Sequence, residues 1–84
     1  MKRHGRHYVY ILKCRDGTYY TGYTADLKTR METHHKKRGA KYLRGRLPAA
    51  LVFVRKYGYY KNALRAEREI KKLSRKKKEE LILK

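Results

Sequence analysis

The fold of this chain is decided by residues 8–22, which read YVYILKCRDGTYYTG. Tyrosine and β-branched residues fill both ends of this stretch, as is typical of β-strands. The Asp16-Gly17 pair between them is a strong hairpin signal, because glycine readily adopts the left-handed conformation that tight turns require. The stretch therefore predicts two antiparallel strands, His7 to Lys13 and Thr18 to Tyr23.

The length of the hairpin loop decides whether Tyr10 and Tyr20 can act together. A two-residue Asp16-Gly17 loop would place these two tyrosines on opposite faces of the sheet. A three-residue Arg15-Asp16-Gly17 loop, with Gly17 in the left-handed conformation, would place them on one face. In that register the shared face would carry Tyr10, Leu12, Cys14, Tyr20 and Gly22.

The composition indicates a single small domain that binds a polyanion. The 84 residues include 25 Lys and Arg against 7 Asp and Glu, a formal net charge of +18. Charge of one sign on this scale opposes compaction, and binding to a polyanion is the usual reason for a protein to carry it. Nucleic acid is therefore the favoured partner. An anionic membrane surface is the rival, but we expect no membrane association and a cytoplasmic protein, because there is no long apolar run and no signal peptide.

The sole cysteine, Cys14, excludes an internal disulfide and a multi-cysteine metal site. On composition alone, a non-enzymatic basic protein that binds RNA or the ribosome remains an equal alternative to an enzyme.

The rest of the chain predicts three helices and one further strand. The strand is Leu51 to Val54, continuing towards Tyr57, and it is expected to be the most buried one. The helices begin after the N-cap residues Thr24 or Asp26, Asn62 and Ser74, and they run to about His35, from Ala63 to Leu73, and from Arg75 to Leu83. Lys36 to Arg46 is predicted to be a loop.

These elements predict an α+β fold, a small three-stranded sheet flanked by helices in the order ββαβαα. We expect residues 1–84 to form one domain, with a core of about 7–73 and a basic C-terminal helix over 74–84.

Three polar residues stand out on the predicted helices. Glu67 falls on the apolar stripe, where an unpaired carboxylate is costly, so either an ion pair, the commoner outcome, or a divalent cation would stabilise it. Arg30 and His34 are four residues apart and project from one helix face. Each of these signals alone is unspecific. The tyrosines also have a structural interpretation, because a chain with nine tyrosines and no tryptophan can use tyrosine as its ordinary aromatic core residue.

Taken in chain order, these residues resemble the GIY-YIG nuclease domain. The resemblance covers roughly His7 to Leu73, and it is strongest for small stand-alone members and the catalytic domains of branched-DNA endonucleases. The supporting runs are YTGYTADL at 20–27, GAKY at 39–42 and EREIK at 67–71. The chain departs from the motifs at Tyr8, Val9 and Thr21, and it has Tyr23 where some members carry a lysine.

The resemblance implies metal-dependent hydrolysis of DNA phosphodiester bonds. Tyr10 would activate the attacking water, and Tyr20 would position the water or the phosphate. Arg30 would steady the phosphate with the help of His34, and Glu67 would hold Mg²⁺ or Mn²⁺. As a base near neutral pH, the Tyr10 phenol would need its pKa to fall by about 3 from about 10, which Arg30 and the cation could promote.

A basic loop beside this site is expected to guide the DNA. Its predicted nucleic-acid-binding residues are Lys36, Lys37, Arg38, Lys41, Tyr42, Arg44 and Arg46. Phosphate contacts carry little sequence information, so we expect structure-dependent or weakly selective cleavage of branched, flap or single-stranded DNA, or targeting by a protein partner. The alternative is a catalytically weak or inactive basic protein that retains the fold and binds DNA or RNA.

Overall fold

The computed structural model of the protein describes residues 6–36 and 40–84. The fold is α+β, and its elements follow the predicted order. They are β1 (His7–Cys14), β2 (Tyr19–Thr24), α1 (Leu27–His35), β3 (Ala49–Tyr57), α2 (Tyr60–Lys71) and α3 (Arg75–Ile82). The three strands form one antiparallel sheet in the order β2-β1-β3. A short 3₁₀ turn, Lys41–Leu43, lies within the segment predicted to be a loop.

The β1–β2 hairpin uses the three-residue loop. Gly17 has φ +86°, and its N–H donates to the Cys14 carbonyl at 2.9 Å. The Cys14 N–H donates to the Thr18 carbonyl at 2.8 Å, which closes the loop. Tyr10 consequently pairs with Gly22, and the two motif tyrosines share a face, as the longer loop predicts.

The core lies on both faces of the central strand β1. On one face Tyr10, Leu12 and Cys14 pack beneath α1 and the 3₁₀ turn. On the other face Val9 and Ile11 pack beneath α2 and α3. The alternation of side chains along a strand makes this division necessary.

The expectation that residues 51–54 form the most buried strand is wrong. Leu51 and Val54 are 43% and 44% exposed, whereas Val9 to Leu12 of β1 are fully buried. The reason is position in the sheet: β3 is an edge strand, while β1 has a neighbour on each side and helices over both faces.

Two of the predicted helix starts are confirmed and one is wrong. Asp26 caps α1 by accepting from the Thr29 N–H, and Ser74 caps α3 by accepting from the Lys77 N–H. Helix α2 begins at Tyr60, not after Asn62. Its first turn packs the Tyr60 ring against Tyr23 and His7, so tertiary packing overrides the capping preference of Asn62.

Across residues 6–36 and 40–84, none of the helices combines the length and the apolar character needed to span a bilayer.

Candidate active site

Three aromatic side chains from three different elements converge on the α1 face of the sheet. The ring centroid of Tyr10 on β1 lies 6.4 Å from that of Tyr20 on β2. The imidazole of His34 on α1 lies 6.0 Å from the Tyr10 ring and 5.7 Å from the Tyr20 ring. The hairpin register and the packing of α1 thus bring together residues that are up to 24 positions apart.

The Tyr10 phenol is held in one place by its surroundings. Its side chain is fully buried, and its Oη lies 2.9 Å from His34 Nε2. The ring passes directly over Gly22, where an added Cβ would lie 2.5 Å from the Oη and 2.6 Å from Cζ. Only a residue without a side chain at position 22 leaves room for this arrangement.

The pKa of the Tyr10 phenol moves in the direction opposite to the one that a base requires. Burial raises this pKa to about 12, and interaction with Tyr20 adds to the rise. Arg30 lowers it through hydrogen bonding and charge, as expected, while the Glu67 carboxylate raises it. Burial outweighs the cation, so Tyr10 is a neutral phenol in this structure.

The surroundings of His34 favour the neutral imidazole, whose Nε2 can accept a hydrogen bond from the Tyr10 phenol. Burial lowers its pKa, and the nearby charges of Arg30 and His35 act in the same direction. When Nε2 accepts from Tyr10, the ring proton lies on Nδ1. Within the described part of the chain that buried Nδ1 has no hydrogen-bond partner.

An open cleft of about 530 Å³ lies beside this aromatic cluster. Tyr20 and Arg30 line it together with Thr24, Asp26, Thr29, Thr33 and Ala40. Tyr10 and His34 are buried, so Tyr20 is the aromatic residue of the three that a ligand in the cleft would meet directly. The sequence interpretation missed the threonine hydroxyls, although Thr29 and Thr33 are four residues apart on α1, a spacing that places two side chains on one face of a helix.

Glu67 lies on α2, is not among the residues that line the cleft, and takes part in an ion pair. Its side chain is 20% exposed, and its Oε2 lies 3.4 Å from the Lys71 Nζ. Such a pair four residues apart on a helix contributes about 0.3–0.5 kcal/mol to stability. A divalent cation could therefore readily displace the Lys71 ammonium. The ion-pair alternative is therefore the one present.

The residues nevertheless fit a sparsely ligated divalent cation. Residues 6–36 and 40–84 contain no group of three His, Cys, Asp or Glu side chains that could hold a metal. Mg²⁺, however, is commonly held by one or two carboxylates together with waters and phosphate oxygens of the substrate. A single half-buried carboxylate whose charge acts on the Tyr10 phenol meets that requirement.

The residues of the predicted binding loop differ in their surroundings. Lys36, Lys41 and Arg44 are exposed, and Lys37 and Arg38 lie outside the described residues. The side chain of Tyr42 stacks on Tyr20, with centroids 5.9 Å apart and an interplanar angle of 25°.

The side chain of Arg46 is engaged within the protein. Its guanidinium lies 4.0 Å from the Tyr42 ring centroid, and its Nε donates to Asp16 at 3.0 Å. A second nitrogen donates to the Tyr42 carbonyl at 2.8 Å. In this structure Arg46 therefore supports the Tyr42–Tyr20 stack, a role that its position in a cationic loop did not suggest.

Comparison with known proteins finds a family model and relatives that match most of this chain. Residues 6–80 match the family model of the GIY-YIG catalytic domain. The chain is 51% identical to the UPF0213 protein BH0048 of Halalkalibacterium halodurans over 76 residues, covering 90% of this chain and 81% of that protein. It is 48% identical to the UPF0213 protein VNG_2274C of Halobacterium salinarum, covering 90% of this chain and 99% of that one.

Solved structures show the same fold. The solution NMR structure of BH0048 matches with a TM-score of 0.61, covering 90% of this chain and 81% of that chain. The solution NMR structure of EF2693 from E. faecalis is 37% identical and matches with a TM-score of 0.66, covering 98% of this chain and 88% of that chain. The chain therefore belongs to the GIY-YIG catalytic domain family.

Proposed function

We propose that this protein is a divalent-metal-dependent endonuclease that hydrolyses phosphodiester bonds of DNA. The observation that carries the proposal is the convergence of Tyr10, Tyr20 and His34 beside a cleft lined by Arg30. The net charge of +18 favours a polyanionic substrate, and membership of a nuclease family favours hydrolysis.

Arg30 and Tyr20 would hold the scissile phosphate. Both line the cleft, and a planar guanidinium can donate two parallel hydrogen bonds to phosphate oxygens. Such donors stabilise the charge that develops on those oxygens as the bond to the leaving group breaks. The Tyr20 hydroxyl then faces the phosphate or the attacking water.

Tyr10 and His34 form the proton-accepting pair in this proposal. With a pKa of about 12, a free tyrosinate would cost about 7 kcal/mol at pH 7. The 2.9 Å contact with His34 avoids that cost, because Tyr10 can pass its own proton to Nε2 as its oxygen accepts one from water. Since Tyr10 is buried, the water can reach it only after neighbouring side chains shift.

Glu67 is the residue that would hold the divalent cation. A bound Mg²⁺ or Mn²⁺ would supply positive charge that stabilises the phosphate oxygens, in addition to the charge of Arg30. The ion pair with Lys71 would then open, and the ammonium would turn to solvent.

One observation favours a second function, binding of nucleic acid with little or no turnover. The Tyr10 side chain is fully buried and its pKa is raised to about 12, which together disfavour a direct base role. In that case the cleft and the positive charge would serve DNA or RNA binding alone, with targeting by a protein partner.

A cleavage assay on single-stranded, flap and branched DNA separates the two functions. Parent protein is incubated with Mg²⁺, Mn²⁺ or EDTA and compared with Tyr10→Phe and Glu67→Ala. The matched controls are Tyr60→Phe, which changes an exposed phenol on the other face, and Glu69→Ala, which changes an exposed carboxylate on the same helix.

We expect Tyr10→Phe to lower the cleavage rate by about 10²- to 10⁴-fold and both controls to keep the parent rate. Glu67→Ala should weaken the response to the metal. Parent-like cutting by Tyr10→Phe and Glu67→Ala would refute the site assignment. Binding that persists in EDTA without cleavage of any substrate would support the binding function instead.

A further inference from the structure

A second groove continues the cleft along the same face of the sheet. Its volume is about 680 Å³, and it shares the wall residue Asp26 with the cleft. The volume lies within the range of sites that hold small organic ligands. Its lining combines an apolar floor with a cationic rim.

The groove lies directly beside the reacting position. Tyr8 and Tyr10 are two residues apart on β1, so they point to the same face at a spacing of about 6.6 Å. Thr24, which lines the cleft, pairs across the sheet with Tyr8, and Tyr8 pairs on its other side with Lys56 of the groove. A stacked DNA strand advances by about 3.4 Å per nucleotide, so it spans this distance in about two nucleotides, and an unstacked, more extended strand spans it in fewer.

The rim of the groove is positively charged. Arg6, Lys28 and Lys56 line it, and Asp26 is the sole carboxylate among its lining residues. Asp26 already accepts hydrogen bonds from the backbone and hydroxyl of Thr29, and these contacts, followed by the charges of Lys28 and Arg6, lower its pKa. Within residues 6–36 and 40–84, none of the three cations has a carboxylate oxygen within 4.0 Å.

The floor of the groove is apolar. Tyr8 is half-buried there, and Leu51 keeps 43% of its surface exposed beside it. A phosphate needs no such floor, whereas the face of an unpaired base does. A duplex hides its base faces within the stack and exposes only base edges, sugars and phosphates, so it offers no base face to cover this floor.

We propose that this groove binds one or two unpaired nucleotides that flank the scissile phosphate in a DNA strand. Lys28, Lys56 and Arg6 would contact the phosphates, and Tyr8 and Leu51 would contact a base. The inference rests on the proposed function in one respect: Arg30 and Tyr20 must hold the phosphate that is cut. On this proposal the protein recognises its substrate by the single-stranded nucleotides next to the phosphate that is cut.

Binding in EDTA tests the groove without any cleavage. The fluorescence anisotropy of labelled ten-nucleotide single strands and of the corresponding blunt duplex is measured over a series of salt concentrations. The test variant is Lys28→Ala/Lys56→Ala. The matched control is Lys72→Ala/Lys76→Ala, which removes the same charge from exposed positions beside α2 and α3, over the other face.

For the single strand, we expect the slope of log affinity against log salt to fall in magnitude by about 1.4 in the groove variant, about 0.7 for each lost phosphate contact. The control should change far less. Tyr8→Ala should weaken single-strand binding by about 5- to 150-fold and leave duplex binding nearly unchanged. Circular dichroism establishes that each variant is folded.

Two results would overturn the groove assignment. One is an equal loss in the groove and control variants, since binding would then depend only on total charge. The other is an equal effect on single strand and blunt duplex. If the groove variants behave as expected but no DNA is cut by the parent protein, the groove stands and the nuclease proposal fails. If Tyr10→Phe abolishes cleavage while the groove variants bind DNA as the parent does, the nuclease proposal stands and the groove assignment fails.

Discussion

Gly22→Ala should show how tightly the Tyr10 phenol is confined. The new Cβ would lie 2.5 Å from the Tyr10 Oη, 2.6 Å from Cζ and 3.1 Å from Cε1. Since carbon and oxygen atoms that are not bonded normally stay more than 3 Å apart, the ring must move away from Gly22. Gly22 has no positive φ, so the strain comes from this contact and not from the backbone.

The expected loss follows from overpacking a well-filled core. Forcing one extra methyl group into such a site destabilises a protein by about 1–3 kcal/mol. For a domain of this size, each kcal/mol lowers the melting temperature by roughly 4–8 °C. The displaced phenol would also lose its 2.9 Å contact with His34.

Urea denaturation followed by circular dichroism measures the loss, with the Tyr10→Leu and Tyr10→Leu/Gly22→Ala variants completing a double-mutant cycle. Because leucine does not reach position 22, Gly22→Ala should be almost neutral in the Tyr10→Leu background, giving a coupling of about 1–3 kcal/mol. Nitrogen NMR of His34 should show a changed ring environment in Gly22→Ala. Strictly additive losses, or a loss below about 0.5 kcal/mol with unchanged His34 signals, would refute this account of the packing.

Two further predictions concern pH and the hairpin loop. Burial raises the pKa of Tyr10 to about 12, above its value of about 10 in the unfolded chain. The neutral phenol therefore contributes fully to the free energy of unfolding below about pH 10, and this contribution is lost as pH rises from about 10 to 12. Allowing for screening near the cleft, parent protein should lose about 1–2 kcal/mol more than Tyr10→Phe over that range in urea denaturation; parallel curves would contradict the burial of this phenol. Gly17→Ala should cost about 1–2 kcal/mol because residue 17 has φ +86°. Gly45→Ala has no atom within 4 Å of the new Cβ and should be nearly neutral, and thermal denaturation followed by circular dichroism compares the two variants. Equal melting temperatures for both glycine variants would argue against a left-handed Gly17.

The local parts of the fold were predictable from the sequence. The two strands and the turn between them follow from runs rich in tyrosine and β-branched residues and from Gly17, which suits a positive φ. The choice between the two-residue and the three-residue loop was left open by the sequence, and the hydrogen bonds of Cys14 in the structure decide it. The caps Asp26 and Ser74 follow from side chains that reach only the next helical turn. These features depend on residues close together in the chain, which is why a pattern can reveal them.

The site contacts were less predictable because they depend on packing between distant segments. The hydrogen bond between Tyr10 and His34 joins residues 24 positions apart, and no local pattern specifies it. The rise in the Tyr10 pKa depends on complete burial, which the nearby Arg30 does not offset. Arg46 was expected to meet DNA, yet its contacts with Tyr42 and Asp16 involve side chains whose positions only the folded loop determines.

The large positive charge also affects how copies of the protein meet at the exposed edge of β3. Leu51 and Val54 leave apolar surface on a strand that lies at the edge of the sheet formed by residues 6–36 and 40–84, and such an edge is where a strand of another molecule can add. Arg55, whose guanidinium lies 5.4 Å from the Phe53 ring centroid, and Lys56 are exposed on the same edge. Like charge on two approaching copies opposes such pairing, and counterions or a bound polyanion would weaken that repulsion. The charge that attracts a nucleic acid therefore also protects the free protein from aggregation.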